Sequence, residues 1–174
     1  MPNEQSPSIP QPSLWRAVPL GALLVVVDAF ILNQGAVALL VGLWLLLVGL
    51  PRTFLAKKYA TVRAQRLRYL GVYFVAVLLV FAINATNNRL AQSRAERLVS
   101  AVKAFHAQNH RYPKSLEELV PDYVELVPLA KYTFLFNKFS YHTSDQGTSL
   151  FYTDFPPFGR PTYSFTRNDW GYLD

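Results

Sequence analysis

The chain has 174 residues, with 17 Lys and Arg against 11 Asp and Glu; it is 51% hydrophobic and 16% charged, and it contains no cysteine. Disulfides, zinc-thiolate sites, iron-sulfur clusters and cysteine nucleophiles are therefore excluded. Soluble domains are about 25% charged, so this chain is charge-poor. Its apolar residues are concentrated in a few segments, which predicts a small membrane protein with one modest domain outside the bilayer.

Residues 1–13 are rich in Pro, Asn, Gln and Ser. Such a segment cannot bury enough apolar surface to offset the entropy lost on ordering, so we expect a disordered tail. An alternative for the N-terminal region is a cleavable signal peptide, because Ala36-Val37-Ala38 matches a small-x-small cleavage pattern behind an apolar run. Only Arg16 precedes that run within the region, which favours a retained membrane segment.

Residues 14–51 are predicted to form a transmembrane helical hairpin. The apolar run from Ala17 to Leu50 contains a single formally charged residue, Asp28. One helix of that length would exceed a hydrocarbon core of about 30 Å. Because Asn33-Gln34-Gly35 suits a tight turn, the run divides into two predicted helices, Ala17–Leu32 and Ala36–Leu50.

Residues 52–68 form a basic loop with six cations and no acid, which the positive-inside rule places in the cytoplasm. Residues 69–85 are apolar and long enough to be a third transmembrane helix, so residues 86–174 should lie outside. This predicts a multi-pass protein of a bacterial inner membrane, with a cytoplasmic N-terminus and a periplasmic C-terminal domain.

The charge distribution also bears on partners. Residues 86–174 hold ten basic and nine acidic residues, so the surplus of cations belongs mainly to the cytoplasmic loop. There it marks topology, with attraction to membrane lipids as a secondary effect. A basic surface for nucleic acid is not predicted.

The exterior region should open with an amphipathic helix. An apolar stripe at helical spacing comprises Ala91, Ala95, Leu98, Val102 and Phe105. Neither Pro nor Gly separates this stripe from the third apolar run, which predicts one continuous helix that leaves the membrane and packs on the exterior domain. The helix should end before Pro113.

Short elements follow. Ser115 and Glu118 have the spacing of a capping box, which predicts a short helix limited by Pro121. Aromatic residues then alternate, which is consistent with a hairpin or a bulge: they are Tyr132, Phe134, Phe136, Phe139 and Tyr141. Further predicted elements are a turn at residues 144–147, a strand at 149–153, a loop from Asp154 to Pro161 and a strand at 162–166. The fold class is therefore an α+β membrane protein with a small antiparallel sheet.

From about Tyr69 to Asp174, this pattern resembles the type IV pilins and the pseudopilins of type II secretion. The most specific sequence motifs are HRYPKSLEEL at residues 110–119, VPDYV at residues 120–124 and Val127-Pro128. The resemblance implies a long helix that packs on an antiparallel sheet. It also implies a role as an assembly or interaction component rather than as an enzyme. The chain departs from the family at the processing site, because the fifth residue after Gly71 is Ala76 where pilins have Glu, and two additional spans precede it. We therefore expect a pilin-like domain permanently tethered to the membrane.

Candidate catalytic and metal residues are few. His106 and His110 lie four apart on a helix and could face one metal ion, but no third ligand is evident, and interaction with the helix's terminal carbonyls is the alternative. His142 lies near Ser140 and Ser144 without the order of a catalytic triad. The sequence thus predicts no catalytic, cofactor or metal site, and a protein that is not an enzyme.

Four acids occur in predicted loops near the end of the chain: Asp145, Asp154, Asp169 and Asp174. Some pseudopilins bind calcium in their C-terminal loops, but the close alternate spacing of a calcium loop is missing here. These acids are interpreted as solvated turn residues.

Asp28 is an intramembrane carboxylate, which is a functional candidate by default. Since it lies close to the predicted turn, and Asn84 lies near the same outer face, a hydrogen-bonded contact between helices or an approach to the interface is favoured over transport. Ala38, Gly42 and Gly49 are predicted to form a small-residue face for helix packing.

Two hypotheses of function follow. The first is an interaction or assembly protein whose partners are pilin or secretion-system proteins. The second is a membrane-tethered periplasmic ligand-binding or sensing module, in which the aromatic sheet and the loop from Asp154 to Pro161 bind a small molecule or glycan.

Overall fold

The computed structural model describes residues 14–55, 60–144, 147–154 and 159–173. Three apolar helical segments form a bundle, and a four-stranded antiparallel sheet lies beyond it. The predicted α+β class with a small antiparallel sheet is confirmed. The predicted tail at residues 1–13, together with Asp145 and Asp174, lies outside the described residues.

Two helical arms form a hairpin at the start of the described chain. Their segments are α1 (Leu14–Val25) with a π-helical continuation (Val26–Leu32), then α2 (Ala36–Trp44), a second π-helical segment (Leu45–Gly49) and α3 (Leu50–Leu55). Between the arms, Asn33 and Gly35 have φ values of 53° and 68°. This left-handed region is one that Asn and Gly adopt more readily than other residues, so the turn lies where the sequence predicts it.

The longest element is α4 (Ala60–Asn109), which contains both the third apolar run and the amphipathic stripe. The prediction of a continuous helix is confirmed, and the described part of the predicted cytoplasmic loop at residues 52–68 is helical. Residues 52–55 end α3 and residues 60–68 begin α4. Between 52 and 68 there is neither Pro nor Gly, and the common residues Ala, Lys, Arg and Leu are strong helix formers.

Three helical stretches are long and apolar enough to cross a membrane: Leu14–Leu32, Ala36–Leu55 and Arg63–Asn109. They pack through small residues. Ala38 is fully buried, while a Cβ atom added to Gly42 would lie 3.6 Å from Val77, and one added to Gly49 would lie 2.8 Å from Leu70. The predicted small-residue face therefore packs against α4, which allows close approach of the helices.

The sheet comprises β1 (Ser140–Ser144), β2 (Gly147–Phe151), β3 (Arg160–Ser164) and β4 (Asp169–Leu173). Each strand pairs antiparallel with the next, in the order β1-β2-β3-β4. All five members of the predicted helical stripe are buried, and they share one core with Leu116, Leu119, Leu150, Tyr163 and Phe165. We call the second half of α4 together with residues 110–173 the sheet domain.

Two local predictions are wrong, and two predicted strands are shifted along the chain. Residues 132–139 form no strand, since their backbone is irregular and β1 begins only at Ser140. The short helix Leu116–Leu119 is a 3-10 helix without a side-chain cap from Ser115, and Glu118 instead accepts a hydrogen bond from the Lys114 backbone nitrogen at 3.0 Å. The predicted strands at 149–153 and 162–166 are observed two residues earlier.

Candidate functional site

The sheet domain contains a cleft of about 260 Å³ between α4 and the edge strand β4. Asn88 and Gln92, four residues apart on α4, lie on one face of the helix and line one wall. The remaining lining residues are Arg89, Tyr152, Asp154, Pro161, Trp170, Gly171 and Tyr172. The cleft therefore combines amide and charged groups on one wall with aromatic rings on the other.

The aromatic wall is held by ring-to-edge packing. The ring centroid of Trp170 lies 6.5 Å from that of Tyr152 and 5.2 Å from that of Tyr163, both at steep interplanar angles. Tyr152 and Tyr163 are buried, whereas Trp170 is 40% exposed and Tyr172 is 69% exposed. Two fixed rings behind a partly exposed indole provide a surface on which a flat apolar face can stack.

A buried lysine lies behind the cleft. The Lys131 side chain is fully buried, and its Nζ donates a hydrogen bond to the Asp154 backbone oxygen at 2.7 Å. Burial lowers the pKa of the Lys131 ammonium to about 8, although the nearby Asp154 carboxylate opposes that shift. Burial also raises the pKa of Asp154, with Lys131 acting in the opposite direction.

The Asp154 carboxyl has a defined position at the start of the loop after β2. Its backbone nitrogen donates to the Gly159 oxygen at 2.9 Å, and its buried Oδ1 atom has no hydrogen-bond partner among the described residues. Buried polar atoms are normally paired with protein or water. Asp154 therefore brings a buried, unpaired acceptor to the wall of the cleft, which Arg89 and Gln92 also line.

A second concave surface runs along α4, on its exposed side. We call it the helix groove; it is open, with a volume of about 690 Å³, and is lined by Ser93, Glu96, Arg97, Ser100, Ala101, Ala104, Tyr123 and Val124. Small side chains at Ser93, Ser100 and Ala104 let another backbone approach closely. Glu96 and Arg97 offer both signs of charge. Such a surface suits an elongated protein segment better than a small molecule.

The two histidines considered as metal ligands lie at the end of α4 and directly after it. The His106 ring stacks on Tyr112 with a centroid distance of 4.2 Å. His110 lies just after the helix with a left-handed φ of 54°, and its backbone nitrogen donates to the His106 oxygen at 2.9 Å. Among the described residues, no three His, Asp or Glu side chains cluster in a way that could hold a metal ion.

The other predicted polar candidates are dispersed. His142 is exposed on β1, opposite Ser149 of β2. Asp169 forms an exposed salt bridge with Arg167 at 3.1 Å. Of the two late acids that the structure describes, Asp154 lines the cleft and Asp169 does not. The position of Asp154 depends on long-range packing that no local motif encodes.

Asp28 has a structural partner at the hairpin turn. Its fully buried carboxylate accepts hydrogen bonds from the backbone nitrogens of Gly35 at 3.0 Å and Ala38 at 2.6 Å. These are among the first amides of α2, which have no partner within the helix. Asp28 therefore caps α2 rather than bonding to a polar side chain of α4, and Asn84 Oδ1 is left without a partner among the described residues.

The ligand-binding hypothesis drawn from the sequence included the Asp154 and Pro161 part of the cleft, but it missed the helix wall with Arg89 and Gln92 and the strand at residues 169–173. The available signal for that strand was Trp170 alternating with Tyr172 after the turn at residues 165–168. Comparison of the chain with protein-family models, curated proteins and solved structures found no match.

Proposed function

We propose that this chain is a three-span protein of a bacterial inner membrane that acts without catalysis as a pilin-like or pseudopilin-like interaction or assembly component, associated with secretion or pilus machinery. In this proposal the N-terminus is cytoplasmic and the sheet domain is periplasmic. The observation that carries it is the continuity of α4 from the apolar bundle to the sheet. A long helix laid on an antiparallel sheet is the arrangement that the pilin resemblance implies.

The packing of the hairpin supports a tethered role. A Cβ atom added to Gly21 would lie 3.4 Å from Val72 of α4, and one added to Gly42 or Gly49 would also lie within 4 Å of that helix. A subunit that left the membrane to join a filament would have to lose these contacts. The hairpin therefore favours a protein that stays in the bilayer and presents its sheet domain to a partner.

The helix groove is the surface that we assign to this partner. It extends along the half of α4 that carries the sheet, and its lining combines small and oppositely charged residues. Close backbone approach with complementary charges gives specificity to protein interfaces. A pilin or secretion-system protein with an extended or helical segment fits that description.

Site-specific photo-cross-linking in cells tests the proposal. A photoreactive residue at Ser93 or Ser100 should give a light-dependent adduct with a pilin or secretion-system protein, identified by mass spectrometry. The same probe at exposed His142, on the far edge of the sheet, is the matched control and should not give that adduct. If no adduct forms at native expression, or if all three positions give the same adducts, the assignment is wrong.

The cleft favours a second candidate function, a membrane-tethered periplasmic module that binds a small molecule or glycan. Trp170 and Tyr172 provide stacking surfaces, while Asp154, Arg89 and Gln92 provide hydrogen-bonding groups. Pockets with an apolar floor and a few fixed polar groups are typical ligand sites.

Ligand-observed NMR with a panel of soluble glycans tests this candidate on the full chain in micelles. Binding should be lost in Trp170→Ala and retained in Trp15→Ala, because Trp15 is 84% exposed at the opposite end of the described chain. Equal signals from both variants would show that the cleft is not the binding site.

A further inference from the structure

A loop between the 3-10 helix and the sheet exposes large apolar side chains. We call residues 130–137 the aromatic loop, because the Ala130 backbone nitrogen donates to the Asn137 oxygen at 2.7 Å and closes it. Four of its side chains are exposed: Phe134 by 80%, Tyr132 by 60%, Phe136 by 44% and Leu135 by 41%. Contiguous exposed apolar residues of this size mark an interaction surface.

Backbone hydrogen bonds tie the aromatic loop to the apolar bundle. The Phe134 nitrogen donates to the Phe30 oxygen, near the turn of the hairpin, at 2.7 Å. The Tyr132 nitrogen donates to Asn87 Oδ1 on α4 at 3.3 Å. The hairpin and α4 therefore together fix the position of the loop along the axis of the bundle.

Arg94 holds the same loop from the side of the sheet domain. Its guanidinium donates to the Leu129 oxygen at 2.7 Å and to the Tyr132 hydroxyl at 2.5 Å. The same group lies 4.5 Å from the centroid of the Tyr132 ring. The exposed side chains are thus presented by a loop that is fixed on both sides.

The length of the first arm gives the depth of the loop. Leu14–Leu32 has 19 residues, which corresponds to about 28 Å at about 1.5 Å per residue. A hydrocarbon core is about 30 Å thick, so an arm that starts at one boundary brings the Asn33–Gly35 turn to the other. Phe30 lies just inside that boundary, and Phe134 is bonded to it.

We infer that the aromatic loop inserts its exposed side chains into the outer leaflet of the bilayer and so fixes the sheet domain against the membrane surface. This inference rests on the proposed placement of the three helices across a membrane. Aromatic and leucine side chains are favourable at this depth, where the apolar ring meets the headgroup region. The loop lies beside helices that are proposed to span the bilayer, so its exposed side chains face the lipid around those helices. The partner of this surface is therefore the bilayer rather than another protein.

Single-cysteine spin labelling tests the inference directly, since the native chain has no cysteine to remove. We would label Phe134→Cys in the full chain in phosphatidylcholine nanodiscs and compare collision rates with oxygen, which concentrates in lipid, and with a water-soluble nickel chelate. Leu47→Cys, at a 72% exposed position in the bundle, is the lipid reference. Ala107→Cys, exposed on α4 about 30 Å beyond Asn87, is the water reference.

The expected ratio of oxygen to nickel collisions at Phe134→Cys is several-fold above that at Ala107→Cys and shifted toward that at Leu47→Cys. A ratio equal to that of Ala107→Cys would overturn the inference, and so would a label shielded from both reagents, which would show that protein covers the loop. If Leu47→Cys itself is water-like, the proposed membrane placement fails instead. Leu135→Cys repeats the measurement should Phe134→Cys not fold.

Discussion

The Oδ2 atom of Asp28 accepts a hydrogen bond from the Ala38 backbone nitrogen at 2.6 Å, so an acid in an apolar helix acts as the cap of the next helix. Replacing it with Ala would leave the buried amides of Gly35 and Ala38 unpaired. Hydrogen bonds to charged groups contribute about 1.5 to 3 kcal/mol each.

We therefore expect Asp28→Ala to lower the free energy of unfolding by about 3 kcal/mol, measured by detergent-induced unfolding in mixed micelles. Val26→Ala, at an exposed position in the same segment, is the control and should have a much smaller effect. Faster amide exchange at Gly35 and Ala38 should accompany the loss; unchanged exchange would argue against the cap.

Two glycines in apolar segments should respond in opposite ways to alanine. Gly35 has a φ of 68°, and an added Cβ would lie 3.3 Å from Phe81 and 3.4 Å from Asn84. We expect Gly35→Ala to destabilise the chain by about 1 to 2 kcal/mol through left-handed strain. Gly71 is helical with open space around it, so Gly71→Ala should be neutral or stabilising by up to about 1 kcal/mol. The same micelle unfolding assay measures both, and equal effects would contradict the assigned turn.

The sheet domain depends on packing, because no disulfide can support it. Leu150 of β2 is fully buried against the helical stripe. Leu150→Ala should lower the free energy of unfolding by about 2 to 5 kcal/mol, followed by the near-ultraviolet circular dichroism of the aromatic side chains. Leu126→Ala removes the same atoms from a 64% exposed position and should change stability little. A small effect at Leu150 would show that the core is not arranged as described.

Lys131 predicts a pH dependence of stability. Its folded pKa of about 8 lies below the ordinary 10.5, so between these values the unfolded chain binds more protons than the folded one. Stability should therefore rise as pH increases through this window, by up to about 3 kcal/mol.

Tyrosine ionisation limits that rise at high pH. Burial raises the pKa of Tyr141 to about 12, so above about pH 10 only the unfolded chain ionises this phenol and stability falls. The thermal unfolding midpoint of the native chain should increase from pH 8 to pH 10. The midpoint of Lys131→Met should not increase over this range. Exposed Lys138→Met should retain it; if the native curve is flat, Lys131 is not buried as a titrating group.

Topology can be tested with paired reporters, one active only outside the cytoplasm and one active only inside. Fused after Asp174, the outside reporter should be active and the inside reporter silent, because the positive-inside rule predicts that the six cations of residues 52–68 stay in the cytoplasm. Fusion after Arg66 should reverse the pattern. An inside signal at Asp174 would overturn the proposed orientation.

Periodicity in the sequence predicted the elements that bury one continuous face. The stripe from Ala91 to Phe105 and the turn at Asn33–Gly35 could be identified because helix packing and left-handed backbone leave local signatures. The positive-inside rule uses charge to predict topology, and charge alone does not interrupt a helix. Charge therefore could not predict that the described part of residues 52–68 is helical.

Features that depend on long-range contacts could not be predicted in this way. Tyr132, Phe134 and Phe136 alternate like a strand, yet the Phe134 nitrogen bonds to the hairpin and the Tyr132 nitrogen bonds to α4. β4 is an edge strand with Gly171 at its centre and weak alternation of burial, so its pattern is faint. The cleft exists only where this strand meets α4.

The unbroken α4 is long relative to its apolar run. From Ala85 to Asn109 the helix extends about 36 Å beyond the apolar run, at about 1.5 Å per residue. Spanning helices tilt to match bilayer thickness, and a change of about 10° would move the far end of this helix by about 6 Å. In the proposed membrane placement, a small change of tilt within the lipid would therefore displace the far end of α4 by about the length of a side chain.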